Sequence, residues 1–219
     1  MNDAVIQLLV LAGIALFLVL KLKNVLGTRT GFEKPQITPV PDSDGVRRDF
    51  EVIEGGPDRD ITDFVDEGSD DAEALAAMKK VEPGFSVSEF VGGARQAYEM
   101  ILMAFENGDL AEVQPFLSED VYEAFLSGVA DREDKGLKVH ASFIGVRETT
   151  VRNATFDEDT RDAQITLRFV CELTSVVKDA EGTVVEGDAN AIKKQRDIWT
   201  FARKMGTGDP NWKLVATGE

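Results

Sequence analysis

The chain holds one cysteine, Cys171, and one histidine, His140. A single thiol closes no intrachain disulfide, and the two residues cannot build a Cys/His zinc cluster. A Ser-His-Asp arrangement would have to use His140, and no glycine-flanked nucleophile elbow is present. No glycine-rich phosphate-binding loop occurs. Basic residues are scarce: 24 Lys and Arg stand against 40 Asp and Glu, a formal net charge of −16. That balance argues against a protein that coats nucleic-acid phosphates.

Charge is missing altogether from Ala4 to Leu20 (AVIQLLVLAGIALFLVL), where only Gln7 is strongly polar. Seventeen residues is the short end of a bilayer-spanning helix, and Lys21 and Lys23 can snorkel to lengthen it. A cleaved signal peptide fits poorly, because Asp3 and no Lys or Arg precedes the run and no small-x-small site follows it. A buried core helix fits poorly too, since the run is apolar on all sides. The sequence therefore predicts a single-span anchor over residues 1–24. Lys21, Lys23, Arg29 and Lys34 follow it with only Glu33 against them. The positive-inside rule then puts the N-terminus outside and the remainder in the cytoplasm of a bacterial inner membrane. A reducing compartment agrees with the lone thiol.

Residues 25–69 read as an acidic tether. Pro35, Pro39, Pro41 and Pro57 interrupt it, and thirteen Asp or Glu from Asp42 to Glu73 face only Arg47, Arg48 and Arg59. Such a stretch buries too little to offset the entropy of ordering, so a flexible spacer is expected. Two short apolar islands, Phe50 to Ile53 and Ile61 to Val65, leave open a second reading as a recognition segment.

Residues 70–219 read as one folded domain. Asp70, Asp71 and Glu73 open a helix that Lys79 and Lys80 close, matching the helix dipole at both ends. Ser86 with Glu89 forms a capping-box pattern. Val87, Phe90, Val91, Ala94, Tyr98, Ile101, Leu102 and Phe105 then recur at helical spacing up to Gly108. Gly92-Gly93 inside this helix is read as a close-packing spot. Asp109 and Glu112 predict a short helix over 110–116. Ser118 predicts another through Val129, followed by a polar connector, Ala130 to Gly136.

The period then changes to two. Val139, Ala141 and Phe143 alternate with Lys138, His140 and Ser142, which puts His140 on a polar face. A second run spans Val151 to Phe156. The clearest strand is Asp162 to Val177, where Ala163, Ile165, Leu167, Phe169, Cys171 and Leu173 share the apolar face. Asp179 to Gly182 is a hairpin turn, and the return strand carries an expected bulge between Gly187 and Asn190. It continues from Ile192 to Lys204. A glycine- and proline-bearing turn leads to a last strand with Trp212, Leu214 and Ala216 on one face. Helices followed by antiparallel strands predict an α+β domain, with helices packed on one face of a curved antiparallel sheet and a hollow between them. Two carboxylates are candidates for chemistry. Asp197 shares parity with Trp199 and Phe201 and so faces the hollow, where it would serve as a general base or pair with an arginine. Glu172 lies on the polar face, where a salt bridge to Arg168 accounts for it. Lys193, Lys194 and Arg196 form a local basic patch, although the acidic total predicts no nucleic-acid partner.

The blocks GARQAYEMILMAFENGDL, FLSEDVYEAF, FIGV, AQITLRF, DIWTFAR and NWKLVAT, in that order, resemble the Tim44-like family from about Glu82 to Thr217. The family's name-giver is a mitochondrial translocase subunit, longer at its N-terminus and peripheral to the membrane, where this chain carries an apolar run. The resemblance implies a cone-shaped fold of the nuclear-transport-factor-two-like type. It implies a non-enzymatic role beside a membrane, in protein translocation or membrane-protein assembly. Translocation or chaperone proteins are then the expected partners, with lipid as a further one, and no cofactor or metal. It also implies an apolar pocket between helices and sheet. From their facing, Phe90, Tyr98, Ile101, Phe143, Phe169, Trp199 and Phe201 would line it.

Overall fold

The computed structural model describes residues 56–218. The predicted membrane span and most of the predicted tether lie outside the described residues. Four α-helices precede four strands: α1 (Arg59–Thr62), α2 (Asp70–Val81), α3 (Val87–Asn107), α4 (Glu119–Asp134), then β1 (Lys138–Phe156), β2 (Asp162–Lys178), β3 (Val184–Lys204) and β4 (Lys213–Gly218). The strands form one antiparallel sheet in the order β1-β2-β3-β4, the α+β arrangement expected from helices followed by strands. None of the described helices is long and apolar enough to cross a membrane.

Three helices start on serine. Ser69, Ser86 and Ser118 each accept a bond from a backbone N–H three residues on. At α3 the second half of the expected capping box is replaced. Asp60 reaches over from α1, and its carboxylate accepts from Val87 N (2.8 Å), Ser88 N (2.9 Å) and the Ser86 hydroxyl (3.0 Å). Lys79 of α2 closes on the same carboxylate at 2.8 Å and on Asp58 at 2.6 Å. Ile61 is buried beside them, and Phe64 and Val65 pack on the core. The folded unit therefore begins before residue 70: residues 58–65, read above as tether, are held to the domain by these charge-assisted bonds.

Helix α3 ends as the sequence predicts. Gly108 takes the left-handed conformation at φ 76°, and Asp109 N reaches back to the Ala104 carbonyl. The expected helix over 110–116 is only a turn and a short 3₁₀ segment, Gln114–Phe116. Pro115 has no N–H to give an α-helical ladder. Helix α4 runs on to Asp134, through residues expected to be a connector. Arg132, in its last turn, donates to the Phe105 carbonyl and lies 4.4 Å above the Phe105 ring.

The two runs read as separate strands, 139–143 and 151–156, are one strand. β1 is interrupted by bulges at 143/145, 146/148 and 151/153. Each bulge bends the strand and resets which side chains face inward, so the period-two pattern breaks although pairing to β2 continues. The helices attach at these irregular places. Arg95 of α3 donates to the Val146 carbonyl at 3.3 Å, and Asp71 of α2 accepts from Ala154 N at 2.7 Å.

β2 alternates as predicted. Ala163, Ile165, Leu167, Phe169, Cys171 and Leu173 are all buried against the helices. Each large apolar side chain contributes ~2 kcal/mol relative to exposure. β3 follows the predicted course, and its register jumps from Asp188 to Lys193, with Gly187 at φ 79° against Ser175. On β4, Leu214 is buried, whereas a register shift at Val215 turns Ala216 outward opposite Thr200.

Candidate functional site

The aromatic residues on the inner face form two groups. In the first, Tyr98 of α3 stacks on Phe169 of β2 with ring centroids 4.4 Å apart, and Trp199 closes against it at 4.7 Å. Phe143 meets the Tyr98 edge at 6.3 Å and is half-buried. Ile101, one turn on, is fully buried. These five side chains pack on one another as continuous core.

The second group surrounds an open cavity of about 380 Å³ between the start of α3, the end of β3 and the loop before β4. Phe90 and Phe201 line it, joined by Phe85, Phe116 and Trp212. Phe90 packs on Trp212 at 4.5 Å and edge-on to Phe201 at 6.1 Å. Of the seven residues expected from facing, then, Phe90 and Phe201 border this hollow, while Tyr98, Ile101, Phe143, Phe169 and Trp199 lie deeper between α3 and the sheet. Gly92 and Gly93 do not mediate close packing. A Cβ on either would meet nothing within 4 Å, and Gly93 opens onto the cavity. Phe85 and Phe116 were missed because they lie in a loop and a 3₁₀ turn, where no periodicity assigns a face; Trp212 was given a face with Leu214 as part of the last strand, but it lies in the loop before β4.

Polar groups stand at one side of the hollow. Arg203, with its side chain only 6% exposed, donates to Glu82 at 2.8 Å and to the Asp209 carbonyl at 3.3 Å. Its guanidinium lies 5.2 Å from the Trp212 ring. Glu82 also accepts from Gly206 N at 3.1 Å. Burial pushes the Glu82 carboxyl up, but the Gly206 N–H and Arg203 outweigh it and hold it below its ordinary value. The pair thus ties the end of α2 to the turn after β3.

Asp197 is the other candidate. Its carboxylate accepts the Tyr98 hydroxyl at 2.5 Å and the Gln195 amide at 3.1 Å. No arginine pairs with it among the described residues. Cys171 Sγ lies 3.1 Å from the same phenol oxygen. Burial, reinforced by Asp197, drives the Tyr98 hydroxyl far above its usual range, so it stays a donor. Burial also raises the Cys171 thiol, which keeps it protonated and unreactive. Asp197 is thus engaged by two donors. On the outer face, Glu172 pairs with Arg147 at 2.5 Å rather than with Arg168, which turns to Glu148. A bulge at 146/148 brings Arg147 across.

With this geometry in place, similarity to known proteins is decisive for the family. The family model described as Tim44-like domain matches residues 71–219, more than half of the chain. The chain belongs to the Tim44-like family. Among curated relatives, mitochondrial import inner membrane translocase subunit TIM44 of Homo sapiens is 21% identical over 147 residues, covering 66% of this chain and 32% of that protein. The probable mitochondrial import inner membrane translocase subunit tin-44 of Caenorhabditis elegans is 26% identical, over 66% of this chain and 34% of its own. The Tim44-like chain described here therefore spans about a third of the length of these relatives. The solved intermembrane space region of chloroplast protein ARC6 is 15% identical, over 58% of this chain and 94% of that one, with a TM-score of 0.39, too low to bear on fold.

Proposed function

We propose that this protein is a membrane-tethered, non-enzymatic adaptor in protein translocation or membrane-protein biogenesis, recruiting other proteins to the membrane. The observation that carries this reading is the Tim44-like match over the whole strand-bearing domain, shared with relatives named as import translocase subunits. The uncharged run from Ala4 to Leu20 supports tethering, and the cations after it support a bacterial inner membrane with the domain on the cytoplasmic side. Translocation or chaperone proteins are the proposed partners. A non-catalytic role agrees with Asp197, the strongest candidate base, being held by Tyr98 and Gln195. The test is crosslinking from photo-reactive residues on the domain surface in native membranes, read by mass spectrometry. Dominant, domain-dependent crosslinks to membrane-embedded or chaperone proteins are expected.

One observation favours a second reading, a lipid- or acyl-binding module: the aromatic hollow at Phe85, Phe90, Phe201 and Trp212. The two readings separate on Trp212→Ala. An adaptor keeps its protein crosslinks in that variant. A lipid module loses a co-purifying lipid together with its activity, and crosslinks only to lipid would overturn the adaptor reading.

A further inference from the structure

Beyond the end of β4, the outer side of β3 has no strand beside it among the described residues. β3 pairs with β2 on either side of the irregular residues 189–192, but β4 covers its other side only from Ile198 to Ala202. Among the described residues, no strand lies along the outer side of β3 from Val184 to Asp197. Ala189 to Ile192 bulge out of register, so the regular part of this open edge is Lys193 to Asp197. These five residues, ~17 Å of extended backbone, continue the line that β4 leaves at Gly218.

The edge has a distinctive charge. Lys193, Lys194 and Arg196 place three cations within four residues of a chain with net charge −16. None of the three makes a salt bridge among the described residues; the neighbouring Glu172 is committed to Arg147. Glu106 of α3 feels the field of Lys193 without pairing with it. By register, Lys193 and Gln195 stand on the helix-bearing side of the sheet, and Lys194 and Arg196 on the other. Just beyond, Ile192 is 62% exposed, as are Val184 and Val185 to more than half. An open ladder with β-branched side chains is a template for strand addition.

The charge decides what adds. A second copy of the same edge, pairing antiparallel about Gln195, would set Lys194 against Arg196 twice, and like charges directly opposite are destabilising; the same register sets Lys193 against Asp197, whose carboxylate is already held by Tyr98 and Gln195. Nucleic acid is disfavoured because Asp197 and Glu106 lie beside the cations and Glu186 and Asp188 stand on the same strand beyond the bulge, and a polyphosphate running along the strand would meet them. A short extended peptide avoids this, since it uses the backbone ladder and places its carboxylates only where the cations stand. We propose that β3, from Lys193 to Asp197, is the acceptor edge for an extended acidic segment of a partner protein, which adds there as a fifth strand. The proposal rests on the adaptor reading for its role and gives that adaptor a docking surface of defined chemistry.

The test uses the full chain in detergent micelles and a fluorescein-labelled eight-residue peptide of alternating Glu and Val. The Lys/Val counterpart and two Glu/Val peptides N-methylated on alternate nitrogens, one for each edge, serve as controls. Fluorescence anisotropy should show saturable binding of the Glu/Val peptide and none of the Lys/Val peptide. Lys194→Gln with Arg196→Gln, both exposed and fold-neutral, should weaken binding by about tenfold or more. One of the N-methylated peptides should lose binding to a similar extent, because it keeps the charge and loses the donors. Amide exchange at 193–197 should slow on binding. The proposal is overturned if no saturable binding occurs, if both N-methylated peptides bind as well as the parent, if the double variant binds unchanged, or if a ten-residue oligouridylate or an anionic phosphatidylglycerol vesicle displaces the peptide by binding tighter. Any of these outcomes concerns the edge alone and leaves the membrane crosslinking to judge the adaptor reading.

Discussion

Asp60 does at one residue what a capping box divides between two. Burial pushes its carboxyl up, but Lys79, the N–H groups of Ser88 and Val87 and the Ser86 hydroxyl outweigh this and hold its pKa at about 2. An unfolded aspartate titrates near 4. The folded-state value is depressed, so the stability Asp60 contributes is complete above about pH 4 and is lost as pH falls toward about 2. Asp60→Ala should lower stability by about 1–2 kcal/mol at neutral pH, measured by urea denaturation, and should flatten the acid limb of the stability profile. Tyr98 offers a second test. Tyr98→Phe keeps the stacking on Phe169 but removes the donor to Asp197. A hydrogen bond to a charged group is worth ~1.5–3 kcal/mol, and that loss should appear in the same denaturation assay. Neither contact was legible in the sequence. Asp60 and Ser86 are 26 positions apart and Tyr98 and Asp197 are 99 apart, and local patterning carries no signal at such separations.

At the level of elements, legibility followed regularity. β2 keeps one period from Ala163 to Leu173, so the strand and these buried residues could be read directly, whereas Val176, buried at the other parity beyond a register shift, could not. β1 could not, because three bulges change its parity and the Val146 carbonyl and Ala154 N–H beside them bond to Arg95 and Asp71 on helices. The same limit applies to the hollow. Strand parity tells which side chains share a face and nothing about the room left between two facing layers. The filled region around Tyr98 and the open region around Phe90 therefore look alike in sequence. Gly187 offers the test at this scale. At φ 79°, a Cβ there would overlap the Ser175 carbonyl oxygen, so Gly187→Ala should destabilise by about 1–3 kcal/mol. Amide exchange should speed up around Val176 and Gly187 while that of Ile165 to Phe169 holds.

At the largest scale, one apolar cluster links the four described helices to the sheet. It runs from Ile61 through Tyr98 and Phe169 to Leu214. The only two tryptophans, Trp199 and Trp212, both belong to it. A single shared core predicts a single cooperative transition. Tryptophan fluorescence and far-ultraviolet circular dichroism should therefore give coincident urea curves, and separate midpoints would mean that helices and sheet come apart independently. The acidic total acts at this scale too: added salt should screen the self-repulsion of the net −16 charge and raise the midpoint modestly.

The Asp60 clamp has a mechanical meaning. The described chain enters the fold at Gly56, and within four residues it is fastened to the start of α3 and to Lys79 of α2. Tension applied along the preceding chain is therefore taken up by a cluster of bonds loaded together, before it can peel α1 away and reach the core. Pulled from its N-terminal side, the domain should resist as a hooked rope does, with the hook at Asp60; in a single-molecule stretching trace, Asp60→Ala should add an early, low-force step as residues 56–65 come free.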